Sequence, residues 1–234
     1  MSESLVFQIL ETKTVETEIS GQNLQVQGES TANNIKVIYR LIHKHKPINT
    51  LEVGLAFAAS AVAFTVAMKE IHGGLEHTHH AIDPFQYAWM QNAGLNRLKK
   101  NNLETNFVFH HDFSENVLPG FLADKKKFDI IYIDGSHAYE HVFVDFFYTS
   151  RLLNRGGFLL FDDCSDKQVY KVIRFIIKNL SDYFEEVDVL QYTDASSIKK
   201  LIYPIAKKLG KVQLRIFRKI TDDMERENVG FVNF

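Results

Sequence analysis

The stretch FDIIYIDGSHAYEHVFVDFF, residues 128–147, decides between two incompatible folds. Its first part, FDIIYID, is a near-continuous apolar run ending in Asp134, which is typical of a parallel strand covered on both faces. The alternative takes His137, Glu140 and His141 as the H-x-x-E-H motif of inverted zinc peptidases, which needs both histidines on one helix and a third ligand downstream. Because His137 falls at a strand–helix turn, three residues after Asp134, the strand–turn–helix interpretation is favoured.

The composition favours a single globular domain. The 234 residues are 45% hydrophobic and 24% charged, which suits one sizeable α/β domain. The formal net charge of −2, with no basic block, argues against a nucleic-acid partner. The single cysteine, Cys164, cannot form an internal disulfide and fits a reducing compartment. No signal peptide and no run of about 18 apolar residues is found, so we expect a cytoplasmic protein without a membrane partner.

Outward from this stretch, strand and helix patterns alternate, which predicts βαβ units and a mostly parallel sheet. The last two predicted strands are expected to pair antiparallel at one edge. Residues 1–29 are predicted to be an N-terminal arm or lid, with TVETEIS (14–20) as a short exposed strand, and residues 30–234 to be the domain. HTHH (77–80) is expected to be a solvated loop. The predicted strands are 49–54, 79–84, 106–112, 128–134, 156–164, 185–192 and 211–219, and the predicted helices are 31–45, 60–71, 86–100, 138–153, 167–180 and 195–208.

Polar residues follow the first five predicted strands, at the carboxyl edge where open α/β sheets bind ligands. The turn after Glu52 and Gly54, leading to Ser60, is either a glycine-poor cofactor turn or a plain strand–helix turn. Asp83 can accept hydrogen bonds from a ribose diol or cap a helix. The other residues at these strand ends are Ser114, Glu115, Asp134, Asp162 and Asp163.

Three of these carboxylates, Asp134, Asp162 and Asp163, follow two neighbouring strands. Adjacent like charges raise one another's pKa unless a cation lies among them. An oxygen-rich site of this kind suits Mg²⁺ or a similar divalent cation. Capping and surface charge are the alternative roles for the three side chains.

Four segments in this order and spacing resemble a class I S-adenosylmethionine-dependent methyltransferase: LEVGLAFAAS, AIDPFQ, FDIIYIDGSHAYEHVFVDF and LLNRGGFLLFDD. Within that superfamily they are similar to the branch of catechol O-methyltransferase and the sugar O-methyltransferases of macrolide and aminocoumarin biosynthesis. The resemblance covers roughly residues 30–220. It implies a Rossmann-like, seven-stranded, mostly parallel sheet with helices on both faces and an antiparallel last strand, in agreement with the predicted elements.

The resemblance also implies roles for individual residues. S-adenosylmethionine would contact Glu52, Gly54 and Ser60 with its methionine part, Asp83 with its ribose, and Ser114 and Glu115 near its adenine, with Asp134 also at the cofactor. Mg²⁺ would bind Asp134, Asp162 and Asp163. His137 would be the general base, and Asp134 would act with it in catalysis. This chain departs from the pattern because Ala56 and Ala58 or Ala59 replace the second and third glycines of the first turn.

The function predicted from this pattern is O-methylation of a hydroxyl on a sugar or another natural-product small molecule, by an enzyme that family habit implies is a homodimer. Three alternatives stay open. An N- or C-methyltransferase would have the same fold. A non-catalytic S-adenosylmethionine-binding module would fit the missing glycines. An NAD-dependent oxidoreductase would fit Asp83, but the chain lacks G-x-G-x-x-G and that function does not explain Asp162 and Asp163.

Overall fold

The computed structural model of the protein describes residues 3–19, 21–73, 75–222 and 231–234, without the side chains of residues 198 and 199. Predictions that include residues 1, 2, 20 or 223–230 lie outside the described residues at those positions. The chain divides into two compact units, residues 1–117 and residues 118–234. Among the described residues, no helix combines the length and apolar character needed to cross a membrane.

The first unit contains an N-terminal hairpin and three parallel strands of the main sheet. The hairpin strands β1 and β2 pair antiparallel, and the three parallel strands lie in the order β5-β4-β3. The elements are α1 (Glu3–Leu10), β1 (Thr14–Glu16), β2 (Asn23–Gln25), α2 (Ala32–His45), β3 (Asn49–Val53), α3 (Ala59–His72), β4 (Thr78–Ile82), α4 (Ala93–Lys100) and β5 (Phe107–His110). The chain passes to the second unit within α5 (Ser114–Ala123).

Helix α2 buries one face, whereas most of α3 is buried on all sides. The difference arises because apolar and small residues cover one face of α2 but nearly the whole surface of α3. In α2, apolar residues recur every three or four positions and one face is buried, while Thr31 caps the start by accepting from the Asn34 amide. In α3 every residue from Ala59 to Met68 is buried, and six of these ten are Ala, Ser or Thr, so the backbone can pack closely on all sides. This close packing fixes the start of α3, which follows directly on the turn after β3.

The segment HTHH is not a solvated loop, and that prediction was wrong. His77 directly precedes β4, and His79 and His80 lie within the strand. The three side chains are 4%, 1% and 9% exposed, respectively. The physical reason is that β3 and β5 cover the two edges of β4, while helix α3 packs on the strand and its Phe64 ring stacks on His79. The Nδ1 atom of each histidine has a polar partner inside the protein, such as the Thr50 hydroxyl for His79 at 2.8 Å.

The second unit contributes four strands of the main sheet, in the order β6-β7-β9-β8. Strand β7 runs parallel to β6, and β9 runs antiparallel to both β7 and β8. Helix α7 carries an apolar stripe at Val169, Val172, Ile173 and Ile176, all buried. The elements are β6 (Phe128–Ile133), α6 (Tyr139–Leu152), β7 (Leu153–Phe161), α7 (Lys167–Asn179), β8 (Phe184–Val187), α8 (Ser197–Lys208) and β9 (Arg215–Lys219).

The predicted fold class is confirmed. The seven strands β3 to β9 form a mostly parallel sheet, and the last strand in sequence is the antiparallel one. The opening stretch is strand β6 followed by helix α6, so His137 lies in the turn between them and His141 is an exposed helix residue. The two histidines therefore do not share a helix, and the zinc-peptidase alternative loses its geometric basis.

Candidate active site

The turn after β3 has a glycine-type backbone although it contains only one glycine. Gly54 has φ +93°, and its amide donates to the Ile82 carbonyl at 2.9 Å. Ala56 and Ala58 also lie in the left-handed region, at φ +43° and +64°. The amide of Ala58 closes the turn on the Leu55 carbonyl at 2.7 Å. The alanines thus adopt the conformation that the replaced glycines adopt readily, at a cost of about 1–2 kcal/mol each.

Glu52 and Ser60 form a hydrogen bond with each other in the interior of the first unit. The Ser60 hydroxyl donates to Glu52 Oε2 at 2.6 Å, and Glu52 Oε1 lies 3.3 Å from His79 Nε2. The exposed fractions of Glu52, Ser60 and His79 are 0%, 4% and 1%. The carboxylate therefore ties the first turn of α3 to strand β4. A direct contact of Glu52 or Ser60 with a cofactor stays a prediction.

Asp83 organises the same turn through backbone amides. Its Oδ2 accepts from the amides of Leu55 and Ala56 at 3.0 and 2.9 Å, and its Oδ1 accepts from the Phe85 amide at 2.7 Å. A carboxylate has about four lone-pair positions, so while these three bonds persist it can accept one more hydrogen bond. Hydrogen bonding of Asp83 to both ribose hydroxyls stays a prediction. It would require the loss of at least one of the three hydrogen bonds from backbone amides.

Ser114 and Glu115 begin helix α5 and are placed at the end of β5, as the sequence predicted. The neighbouring Asp112 accepts from the Phe113 amide at 2.7 Å and from the Asn116 side chain at 2.8 Å, so Asp112 organises the start of the helix. These two hydrogen bonds, with Asn116 the larger cause, lower the pKa of the Asp112 carboxyl. The role of Ser114 and Glu115 near an adenine stays a prediction.

In the second unit, Asp134, His137 and Asp163 form one group. Each offers a ligand atom, and these atoms all lie within 4.8 Å of one another. Asp134 and His137 come from the turn after β6, and Asp163 from the turn after the parallel neighbour β7. His137 Nε2 lies 2.8 Å from Asp163 Oδ2. The parallel pairing of β6 and β7 therefore brings both turns to the same edge, as the motif spacing predicted.

The electrostatics of this group suit a proton acceptor. The hydrogen bond to Asp163 is the largest cause that raises the pKa of His137 above its ordinary value of 6.5, and the charges of Asp163, Asp134 and Asp166 add to it. The same bond to His137 lowers the pKa of Asp163 below 3.8. The two side chains are 47% and 30% exposed, so solvent can reach the ring. An imidazole paired in this way holds an accepted proton more firmly than a free one.

Asp162 lies outside this group, although the sequence predicted it as the third carboxylate ligand. Its Oδ2 accepts from the Tyr132 hydroxyl, and its Oδ1 accepts from the Asp163 amide at 2.8 Å. The side chain is 5% exposed. The reason is that both residues lie beyond the end of β7 at Phe161, where the backbone turns and Asp163 takes φ +48°, so the two side chains point to different surroundings. The third member of the group is instead the imidazole of His137.

Gln213 completes the surroundings of Asp163 and was not predicted. Its amide group donates to Asp163 Oδ1, and its own Oε1 accepts from the Ser165 hydroxyl at 2.9 Å. The proximity of Gln213 to Asp163 could be found only from the pairing of β7 with β9. Phe161 pairs with Arg215, and continuing this antiparallel register by two residues places Gln213 opposite Asp163. No local motif marks it.

Comparison with a family of known proteins identifies the class to which this fold and these motifs point. Residues 51–164 match the model of a family described as "Methyltransferase domain". This range runs from the middle of β3, through the first turn and the β6–α6 turn, to just beyond Asp163. The matched range is just under half of the chain, and it includes all four segments that carry the resemblance. The predicted class, a class I S-adenosylmethionine-dependent methyltransferase, is confirmed.

Two solved structures and one curated protein show how far the likeness extends. The O-methyltransferase TomG of Streptomyces achromogenes, involved in tomaymycin synthesis and solved with S-adenosylmethionine, has a TM-score of 0.62 at 12% identity, covering 94% of this chain and 88% of that one. An O-methyltransferase of Bacillus cereus, solved with S-adenosylhomocysteine, has a TM-score of 0.62 at 13% identity, covering 94% and 92%. At these identities the likeness concerns the fold.

The curated relative is an uncharacterized protein of Acanthamoeba polyphaga mimivirus. It is 30% identical over 92 residues, which make up 36% of this chain and 40% of that protein. The likeness in sequence thus spans two fifths of the relative's length.

Proposed function

We propose that this protein transfers the methyl group of S-adenosylmethionine to a hydroxyl oxygen of a small molecule. The observation that carries the proposal is the pair of His137 and Asp163 beside Asp134, at the carboxyl ends of two parallel strands. A hydroxyl is a weak nucleophile at neutral pH and needs a base, and this group supplies one. The fold shared with two O-methyltransferases supports oxygen as the acceptor atom.

The cofactor is proposed to bind to the first unit. The free N–H groups at the start of α3 and the left-handed turn before it suit a carboxylate-bearing ligand. Asp83 has one acceptor position left for a ribose hydroxyl, and Ser114 and Glu115 lie at the next strand end. Glu52 and Ser60 support the turn from inside. Both named O-methyltransferases were solved with S-adenosylmethionine or its product, which supports this ligand.

The proposed reaction is an in-line displacement. The acceptor oxygen forms a bond to the methyl carbon, the sulfur–methyl bond breaks, and its electron pair stays on sulfur to give S-adenosylhomocysteine. The hydroxyl proton passes to His137. Because Nε2 faces Asp163, it carries the proton of the neutral ring, and Nδ1 is the nitrogen that accepts. Asp163 then stabilises the imidazolium that forms.

The carboxylates of Asp134 and Asp163, which lie close together, fit a divalent cation. The two carboxylates offer the oxygen ligands that Mg²⁺ and Mn²⁺ take, while His137 keeps its role as the proton acceptor and would not be a ligand at the same time. When bound, such an ion would lower the pKa of a coordinated hydroxyl and orient it. Asp134 and Asp163 are the proposed carboxylate ligands, and with Asp162 turned inward the site is less oxygen-rich than the sequence predicted.

The acceptor class is proposed to be a sugar or another natural-product intermediate with a free hydroxyl. The motifs resemble sugar O-methyltransferases, and TomG acts in the synthesis of a natural product. We expect methyl-labelled S-adenosylmethionine to label such acceptors when they are incubated with the enzyme. Mass spectrometry would locate the label on an ether oxygen. Labelling only of amine acceptors, with no ether formed, would contradict transfer to oxygen.

Removing divalent cations is expected to lower the rate of transfer if the carboxylates hold one. The prediction is a loss of at least about tenfold after treatment with EDTA, because a coordinated hydroxyl is activated by metal. Addition of Mg²⁺ and of Mn²⁺ in separate samples should restore the rate and show which ion fits. An Asp134→Asn variant should respond far less to either ion. Undiminished turnover in the EDTA-treated enzyme would leave His137 and Asp163 as the sole activating groups.

A further inference from the structure

The turn at residues 55–58 is held by side chains from the segment that follows β4. Asp83 binds two of its amides, as described above. The Gln86 side-chain amide donates to the Ala56 carbonyl at 2.6 Å, and Arg97 Nη1 donates to the Phe57 carbonyl at 2.7 Å. Both side chains are buried, with exposed fractions of 0% and 5%. Together these contacts bind the peptide groups on both sides of Ala56.

This support coincides with the alanines that replace glycines. Ala56 and Ala58 lie at φ +43° and +64°, in the left-handed region where an L-residue is strained. The net contribution of one hydrogen bond is of the same order as the strain of one such residue, and a bond from a charged donor contributes more. The bonds from Gln86 and Arg97 therefore match the strain in size. A turn of this sequence would otherwise relax toward a right-handed conformation.

The geometry points to Gln86 and Arg97 as positioning residues that hold the alanine-containing turn in the shape required for S-adenosylmethionine. The inference rests on the proposed cofactor role of this turn. Neither residue is among the predicted site residues, and each acts through a backbone carbonyl. Glycines would adopt this turn freely because they tolerate positive φ. With alanines in their place, the hydrogen bonds from Gln86 and Arg97 hold the turn in this conformation.

Arg97 extends this support to the N-terminal segment. Its guanidinium also pairs with Glu29, which precedes α2. The hairpin packs against the same place, where Val15 joins Phe57 and Ala93 in a small buried cluster with Leu24, Val26 and Met90 at its edge. The carbonyl of Phe57 is thus fixed by Arg97 while its ring is fixed by the hairpin. The turn is held from two directions within the first unit.

The test is a set of variants in two backgrounds. Gln86→Leu and Arg97→Met remove the two donors at nearly constant volume, and each is made in the natural sequence and with Ala56→Gly plus Ala58→Gly. Binding of S-adenosylhomocysteine is measured by calorimetry. We expect weakening by about threefold to tenfold for Gln86→Leu and about tenfold or more for Arg97→Met in the natural sequence. With glycines in the turn, each loss should shrink to less than about threefold, because the strain is gone. Arg174→Met, an exposed arginine of α7 in the second unit, is the matched control.

The outcomes separate this inference from the proposed function. Equal losses in both backgrounds, or no loss in the natural sequence, would overturn the positioning role. If the unmodified protein binds no S-adenosylhomocysteine, the proposed function fails, and hydrogen exchange still tests the inference. In that case the Ala58 amide, bonded to the Leu55 carbonyl, should exchange faster in Gln86→Leu and Arg97→Met, and the glycine background should reduce the difference. Unchanged exchange would overturn the inference independently of ligand.

Discussion

Replacing His137 with alanine is expected to lower the rate constant of methyl transfer by about 10²–10⁴-fold, the range that a general base contributes. His137 Nε2 is held by Asp163 at 2.8 Å, so its other ring nitrogen is the proposed proton acceptor. Affinity for S-adenosylmethionine should change by no more than about twofold, because the loss falls on the chemical step. Steady-state kinetics with an acceptor found in the labelling experiment measures the first quantity, and calorimetry the second.

The same pair predicts a shift in pH dependence. The reaction needs the unprotonated ring, so the rate should rise as pH increases through the pKa of His137, which Asp163 raises above 6.5. An Asp163→Asn variant removes that cause, and the inflection should move to lower pH while the maximal rate falls.

The two groups stabilise the folded protein over different pH ranges. The contribution of His137 is present below pH 6.5 and is lost as pH rises through its raised pKa, and that of Asp163 is present above 3.8 and is lost as pH falls through its lowered pKa.

His141 provides the matched control for this experiment. It lies four residues after His137, is exposed and belongs to helix α6. His141→Ala should keep the rate and the pH profile of the unmodified enzyme. An enzyme with His137→Ala that retains most of its rate would show that His137 only orients the β6–α6 turn. Equal losses in both variants would instead point to damage to the helix start.

The order of elements could be predicted because strands and helices here differ sharply in apolar pattern. The errors fall where local signals mislead. Helix α5 was missed because Pro119 and Gly120 are strong break signals, yet the helix continues through both. The helix predicted from residue 86 begins only at Ala93, since Gln91 and Asn92 have positive φ and interrupt it. Such positions depend on tertiary contacts that a single segment does not encode.

The candidate site was predictable to the extent that strand ends determine it. Asp134 and His137 share one short turn, so their proximity follows from the motif, and Asp163 follows from parallel pairing. The direction of Asp162 and the roles of Gln86 and Arg97 could not be predicted, because each depends on which buried partner a side chain meets in three dimensions. Buried polar groups find partners wherever the packing provides them.

Gly94, at the start of α4, is expected to matter for both stability and cofactor binding, because it packs directly against the turn after β3. A Cβ built on Gly94 would overlap the Ala56 carbonyl oxygen and lie 3.0 Å from Gln86 Oε1. Both atoms are fixed, the first by backbone and the second by a buried side chain. Because neither can give way alone, a Gly94→Ala change must displace the turn or the helix. We expect a loss of about 2 kcal/mol in the free energy of unfolding, within the usual cost of overpacking.

The same displacement should weaken binding of S-adenosylmethionine by at least about tenfold, because it moves the Ala56 carbonyl that Gln86 holds. Thermal unfolding and calorimetry measure the two effects. Gly120→Ala is the control, since nothing lies within 4 Å of a Cβ there and the residue is in helix α5. That change should leave stability equal or raise it by up to about 1 kcal/mol, because alanine favours a helix over glycine. If Gly94→Ala matched this control in both measurements, the close approach of α4 to the turn would not limit the shape of the turn. Asp83, Gln86 and Arg97 alone would then hold Ala56 and Ala58 in their strained conformation.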